Sequence, residues 1–221
     1  MMKSLSAIFK LGLFVGLLLQ TPAIGAAMEP VILILGDSLS AGYGLEQVDQ
    51  GWVAQLQNRL IDKGYAYHVI NASISGETTR GALTRLDSLL DRYQPKIVVV
   101  ELGGNDGLRG ISLTEMAQNF SQIIEQSQGN NAKVLLVRMY LPPNYGPRYT
   151  EQFQQLFVDL AHQYQITTAA FILRGIATRP ELMQPDGLHP RAEAQSLMLD
   201  NIWPALKACM ATEQPSSRPV K

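Results

Sequence analysis

The chain has 221 residues, 46% of them hydrophobic and 17% charged, with a formal net charge of −1. This is ordinary globular composition, enough for one well-filled core, and nothing in the charge balance points to nucleic acid as a partner. A single cysteine, Cys209, excludes an internal disulfide, and three histidines without an HExxH or paired CxxC pattern leave no signature of a transition-metal site.

The N-terminus reads as a secretory signal peptide over residues 1–27. Lysines at positions 3 and 10 precede the apolar run "LGLFVGLLL", followed by Pro22 and the small residues Gly25, Ala26 and Ala27. The run is shorter than the roughly 20 residues that span a bilayer, so cleavage is expected rather than stable membrane insertion. Loss of the two lysines takes the formal charge from −1 to −3. The remainder is expected to form one domain over 28–208, with a polar, proline-bearing tail over 209–221 that lacks periodicity.

Five short β-branched apolar runs follow: "VILIL" at 31, "YHVIN" at 67, "KIVVVEL" at 96, "KVLLVRM" at 133 and "ITTAAF" at 166. Each reads as a buried strand. Longer segments with helical periodicity separate them. "GWVAQLQNRLIDKG" places Trp52, Val53, Leu56, Leu60 and Ile61 on one face, and "SLTEMAQNFSQIIEQ" opens with Ser112 and Glu115 in capping-box spacing. Alternating strands and helices predict βαβ units, hence an α/β fold whose open, mostly parallel sheet is covered by helices on both faces. In such sheets ligands bind outside the carboxyl ends of the strands.

Three loops are thereby expected to meet at one edge: Ser38 follows "VILIL", Gly76 follows "YHVIN" and Asn105 follows "KIVVVEL". A serine becomes a nucleophile only with a base in hydrogen-bond reach and a third group that fixes the tautomer of that base. Asp186 and His189 in "QPDGLHP" are the candidate pair, three residues apart around a turn, with Pro190 read as the first position of a helix through "RAEAQSLMLDNIW". His68, within a strand pattern, and His162, near a helix end, read as structural or surface histidines. Attack on an acyl carbon also needs donors aimed at the oxyanion. The Asn105 amide, the Gly76 backbone N–H and the Ser38 backbone N–H are the candidates. Taken singly, a serine after a strand is often a helix cap, and Gly-rich or Asp-Gly pairs often mark turns. Their joint placement on one sheet edge is what favours chemistry.

These blocks, "GDSLS" around Ser38, the isolated Gly76, "GGND" with Asn105 and "DGLHP" with Asp186 and His189, resemble those of the SGNH, or GDSL, hydrolase superfamily. The runs "ILGDSLSAGYG", "VINASISGETT", "VVVELGGNDGLRG" and "LPPNYGPRYT" extend the likeness, from about Val31 to about Leu206, to its secreted bacterial thioesterases, lysophospholipases and arylesterases. The resemblance implies a flavodoxin-like three-layer α/β/α sandwich with five parallel strands. It also implies ester and thioester hydrolysis through an acyl-enzyme on Ser38, with His189 as general base and acid, Asp186 orienting it, and Ser38, Gly76 and Asn105 forming the oxyanion hole. No metal or organic cofactor is implied. The loops "GLRGIS" and "MYLPPNYGPRY" are similar to the family's acyl-groove walls, which makes Leu108, Leu141, Tyr145 and Tyr149 candidate contacts to the acyl chain. A monomer acting on small acyl esters, thioesters or lysophospholipids in the periplasm or outside the cell is the resulting expectation.

Rival readings lack their signatures. An α/β-hydrolase needs a GxSxG elbow, and a phosphate-binding loop needs GxGxxG or GxxxxGK[ST]; neither occurs. An acyltransferase using the same acyl-enzyme, or a silent binding module of the same fold, would carry much the same residues.

Overall fold

The computed structural model describes residues 29–211; the expected leader lies outside them. Five parallel strands form one sheet: β1 (Val31–Gly36), β2 (His68–Asn71), β3 (Ile97–Glu101), β4 (Lys133–Val137) and β5 (Thr167–Ala169), in the order β2-β1-β3-β4-β5. All five coincide with the β-branched runs. The three central strands are buried on both faces, with Ile32 to Leu35, Ile97 to Val100 and Leu135 to Val137 out of solvent. The expectation of burial fails at the two edges. β2 and β5 are short and half-exposed, because an edge strand has a neighbour on one side only.

Among the described residues, seven α-helices connect and flank the strands: α1 (Ser38–Ala41), α2 (Trp52–Asp62), α3 (Thr79–Tyr93), α4 (Gly104–Leu108), α5 (Leu113–Gly129), α6 (Pro147–Tyr164) and α7 (Gln195–Ala211). From β1 the chain steps outward to β2, then crosses back to β3 and on to β5. Right-handed crossovers therefore place α2 on one face of the sheet and α3, α5 and α6 on the other. The observed helix partners agree: α2 packs on α7, while α5 packs on α3 and α6. The layers are those of the flavodoxin-like sandwich.

Two helix readings change. In α2, Leu56 and Leu60 are fully buried, but Ile61 is 64% exposed because it lies about 100° around the helix from Leu60. Pro190 does not open a helix. It is buried and pairs with Met183 in an isolated antiparallel bridge, a 3₁₀ turn follows over Ala192–Ala194, and α7 starts only at Gln195. α7 also runs through Ala211 with Cys209 and Met210 buried, three residues into the stretch expected to be a tail. The capping box at α5 is half made. Ser112 Oγ accepts from the Glu115 N–H, while the Glu115 carboxylate turns to Arg80.

Strand order reverses direction at β1 and β3, the switch point at which open α/β sheets form a crevice. β1 and β3 are neighbours in register, Gly36 opposite Glu101. The residues that follow them, Asp37 and Ser38 on one side and Gly104 and Asn105 on the other, therefore emerge side by side.

Candidate active site

Asp37 caps α1. Its Oδ1 accepts from the Leu39 N–H at 3.0 Å, which leaves Ser38 as the first residue of the helix. Its Oδ2 accepts from Asn105 Nδ2 at 3.0 Å. One carboxylate thus holds the turn that carries the serine and the side chain of the asparagine expected to stabilise an oxyanion. The amide has two hydrogens, so one remains for a ligand.

The imidazole expected to act as base arrives from the loop before α7. His189 Nε2 lies 2.8 Å from Ser38 Oγ, and His189 Nδ1 lies 2.7 Å from Asp186 Oδ2. The other carboxylate oxygen of Asp186 accepts the backbone N–H groups of Leu188 and His189 at 2.9 and 3.0 Å. Asp186 therefore orients both the ring and the backbone that carries it. These hydrogen bonds, first of all the one from the imidazole, hold the Asp186 carboxyl down at about 2. An ionised Asp186 fixes the tautomer with the proton on Nδ1 and leaves Nε2 to accept the serine proton.

Gly76 lies in the loop after β2, with φ of +80° in the left-handed region. Its carbonyl accepts from Arg109 Nη2 at 2.9 Å. A second tie joins the same two loops. The Asp106 carboxylate, fully buried beside Asn105, accepts the Thr79 N–H and hydroxyl at the start of α3, and Asn119 Nδ2 donates to that hydroxyl at 3.0 Å. The Gly76 loop and the Asn105 helix are therefore fastened to each other on both sides.

A third buried acid lies against α1. Glu101, at the end of β3, accepts from Ser40 Oγ at 2.6 Å and has no solvent exposure. Burial pushes its carboxyl well above the ordinary range, and the nearby Asp37 charge adds to the effect. Burial likewise pushes Asp37 up from 3.8 to about 6, against the Leu39 N–H, the His189 charge and the Asn105 amide, which all favour its ionised form. Neither Glu101 nor the Asp37, Asp106 and Thr79 contacts were identified from sequence. A charge ending the apolar run "KIVVVEL" was the one available signal.

The candidate acyl-groove residues lie beside Asn105. Tyr145 donates to the Leu108 carbonyl at 2.9 Å and Tyr149, in the first turn of α6, donates to the Ile111 carbonyl at 3.2 Å. Leu141 is buried, and its methyl carbons lie so near Gly107 that a Cβ there would stand 2.6 Å from one of them. It supports α4 from below. His68 and His162 are both exposed and away from these loops, on β2 and late in α6. Among the described residues, no group of three or more His, Cys, Asp or Glu side chains is gathered where a metal ion could be held, and no helix is long and apolar enough to cross a membrane.

A serine hydroxyl, an imidazole and a carboxylate aligned by hydrogen bonds can carry out acyl transfer. Comparisons with known proteins agree with this chemistry. Residues 34–197 match the model of the GDSL-like lipase/acylhydrolase family. The chain is 48% identical over 181 residues to esterase TesA of Pseudomonas aeruginosa, covering 82% of this chain and 90% of that one. It is 42% identical over 175 residues to thioesterase 1/protease 1/lysophospholipase L1 of Escherichia coli, covering 79% and 82%. The crystal structure of a psychrotrophic esterase, EstA of a Pseudoalteromonas species, inhibited by monoethylphosphonate, superposes with a TM-score of 0.79 at 44% identity, covering 82% of this chain and 98% of that one. With its four sequence blocks on one sheet edge, the chain belongs to the GDSL-like lipase/acylhydrolase family.

Proposed function

We propose that the protein hydrolyses carboxylic esters and thioesters of acyl chains through an acyl-enzyme on Ser38. The observation that carries this reading is the unbroken line of hydrogen bonds from Asp186 through His189 to Ser38. Ser38 Oγ attacks the acyl carbon as His189 Nε2 takes its proton. The oxyanion that forms is met by the Ser38 and Gly76 N–H groups and by Asn105 Nδ2. The intermediate then collapses with loss of the C–O or C–S bond as His189 gives its proton to the departing oxygen or sulfur, and water repeats the sequence to release the acid. Alcohols and thiols leave more readily than amines, so esters and thioesters rather than amides are the substrates of this site.

The acyl chain runs between Leu108 and Tyr145, with Leu141 as support behind them. The names of the relatives, an esterase and a thioesterase with lysophospholipase activity, favour the same substrate class. The positively charged and apolar N-terminal stretch favours export to the periplasm or beyond, where lysophospholipids and other acyl esters meet the enzyme as a monomer.

The test is turnover of p-nitrophenyl esters of graded chain length, an acyl thioester and a lysophosphatidylcholine by the wild type and by Ser38→Ala. Wild-type hydrolysis of all three classes, absent in the variant, is the expected result. Undiminished esterase activity in Ser38→Ala would remove the serine from the mechanism.

A further inference from the structure

The loop that carries the base closes on itself at Gln184. Beside the Met183 and Pro190 bridge, the Gln184 N–H donates to the His189 carbonyl at 2.7 Å, and the Gln184 carbonyl accepts the Gly187 N–H at 3.0 Å. The Gln184 side chain then reaches out of the loop. Its Nε2 donates to the Pro190 carbonyl at 3.0 Å and to the Tyr43 carbonyl at 2.8 Å, on the chain just beyond α1. Both hydrogens of the amide are committed. Among the described residues, the bond to Tyr43 and the Ser38 to His189 contact are the hydrogen bonds that join segment 37–47 to segment 183–191.

The neighbouring residues are shaped to this contact. Gly44 has φ of +73°, and a Cβ there would stand 2.2 Å from Gln184 Oε1, so only glycine lets the amide lie against the chain. The ring of Tyr43 in turn meets the His189 imidazole, with centroids 4.4 Å apart and planes tilted by 41°. Asp186 holds the imidazole at Nδ1, and a ring held at one atom can still rock about that bond. The Tyr43 ring blocks one direction of that motion.

We propose that Gln184 is a positioning residue for catalysis: its amide pins the Tyr43 backbone to the neck of the base loop, and so sets how His189 meets Ser38. The proposal rests on Ser38 and His189 being nucleophile and base. It differs from a fold-stabilising role for a physical reason. The Gln184 to Tyr43 bond is solvent-exposed, so water can replace the lost donor at the Tyr43 carbonyl, whereas the carbonyl of the buried Pro190 loses its donor at a modest cost in stability. Stability then falls modestly, while a displacement of about 1 Å between reacting groups costs about a hundredfold in rate.

The experiment compares Gln184→Met, which keeps the length and loses both donors, with Gln184→Glu, which keeps the shape and sets an acceptor against two carbonyls. For each, kcat and KM on a p-nitrophenyl ester, the melting temperature, and the rate at which a fluorophosphonate labels Ser38 are measured. The expected result is a fall of about ten- to a hundredfold in kcat and in labelling rate for both variants, with KM held and a lowered melting temperature that still leaves the protein fully folded at the assay temperature. Tyr43→Phe should recover most of the rate that Tyr43→Ala loses. Wild-type kcat and labelling in the two Gln184 variants would overturn the proposal. So would a rate loss that merely follows a loss of folded protein. If the wild type itself is not labelled at Ser38, the assignment of the nucleophile fails first, and that result is read from the wild type alone.

Discussion

Two halves of the site are built from the same residue type in opposite ways. The half that holds Ser38 and the proposed oxyanion donors stands on buried carboxyls. Asp37, Glu101 and Asp106 have no more than 2% exposure, and burial pushes all three upward. The half that holds the proposed base, His189, stands on Asp186, an exposed aspartate whose hydrogen bonds hold it at about 2. Buried acids brace backbone and amides, where a fixed acceptor is needed. The exposed one carries charge beside the imidazole that takes up a proton in the proposed mechanism. What an aspartate does here is set by its solvation and donors rather than by its proximity to the serine.

The largest effects should come from the line of reacting groups. Ser38→Ala and His189→Ala are each expected to lower kcat about a millionfold, and Asp186→Asn about ten-thousandfold, because the amide no longer fixes the reactive tautomer. Steady-state kinetics on an activated ester read all three. An Asp186→Asn enzyme within tenfold of wild type would show that the exposed acid is dispensable and erase the contrast.

Asn105→Ala comes next, with a loss of about a hundredfold in kcat and unchanged binding of a ground-state product acid. Asp37→Asn is expected to cost about tenfold. Whichever way the new amide turns, its NH2 faces either the Leu39 N–H or the Asn105 NH2, so one of the two ties is lost. Kinetic parity between Asp37→Asn and wild type would mean that Asn105 holds its position unaided.

The same two aspartates should titrate stability in opposite directions. The folded chain keeps the Asp37 proton up to about 6, whereas the unfolded chain releases it near 3.8. Its stabilising contribution is therefore complete below that value and is lost as pH rises to about 6. Asp186 behaves inversely. Its contribution is present above the ordinary value of 3.8 and is lost as pH falls toward about 2. The melting temperature of Asp37→Asn, taken relative to wild type, should accordingly rise between about pH 4 and 6 and level off above. A difference that stays flat across that window would place Asp37 at an ordinary carboxylate value.

Much of this architecture was legible in the sequence because the physics is local. Continuous β-branched runs mark strands, and a Gly-Asp-Ser or a Gly-Gly-Asn directly after such a run marks the edge where ligands bind. The structure brings Ser38, His189 and Asp186 into one line of hydrogen bonds. The braces were not legible, since Asp37 to Asn105, Ser40 to Glu101 and Thr79 to Asp106 span 68, 61 and 27 residues. Their pairing depends on the register of β1 against β3 and on the crossover after β2. Pro190 misled for a related reason. A proline before a helical pattern fits a first helical turn, but here its carbonyl and its bridge to Met183 serve the base loop, and the helix waits five residues.

The measurement that tests the central claim most directly is peptide mapping by mass spectrometry after brief exposure to an activated fluorophosphonate, for the wild type and His189→Ala. The expected result is one phosphonyl adduct on the peptide containing Ser38, formed rapidly in the wild type and almost lost in the variant. An adduct at another residue, or one on Ser38 that forms equally fast without His189, would contradict the account.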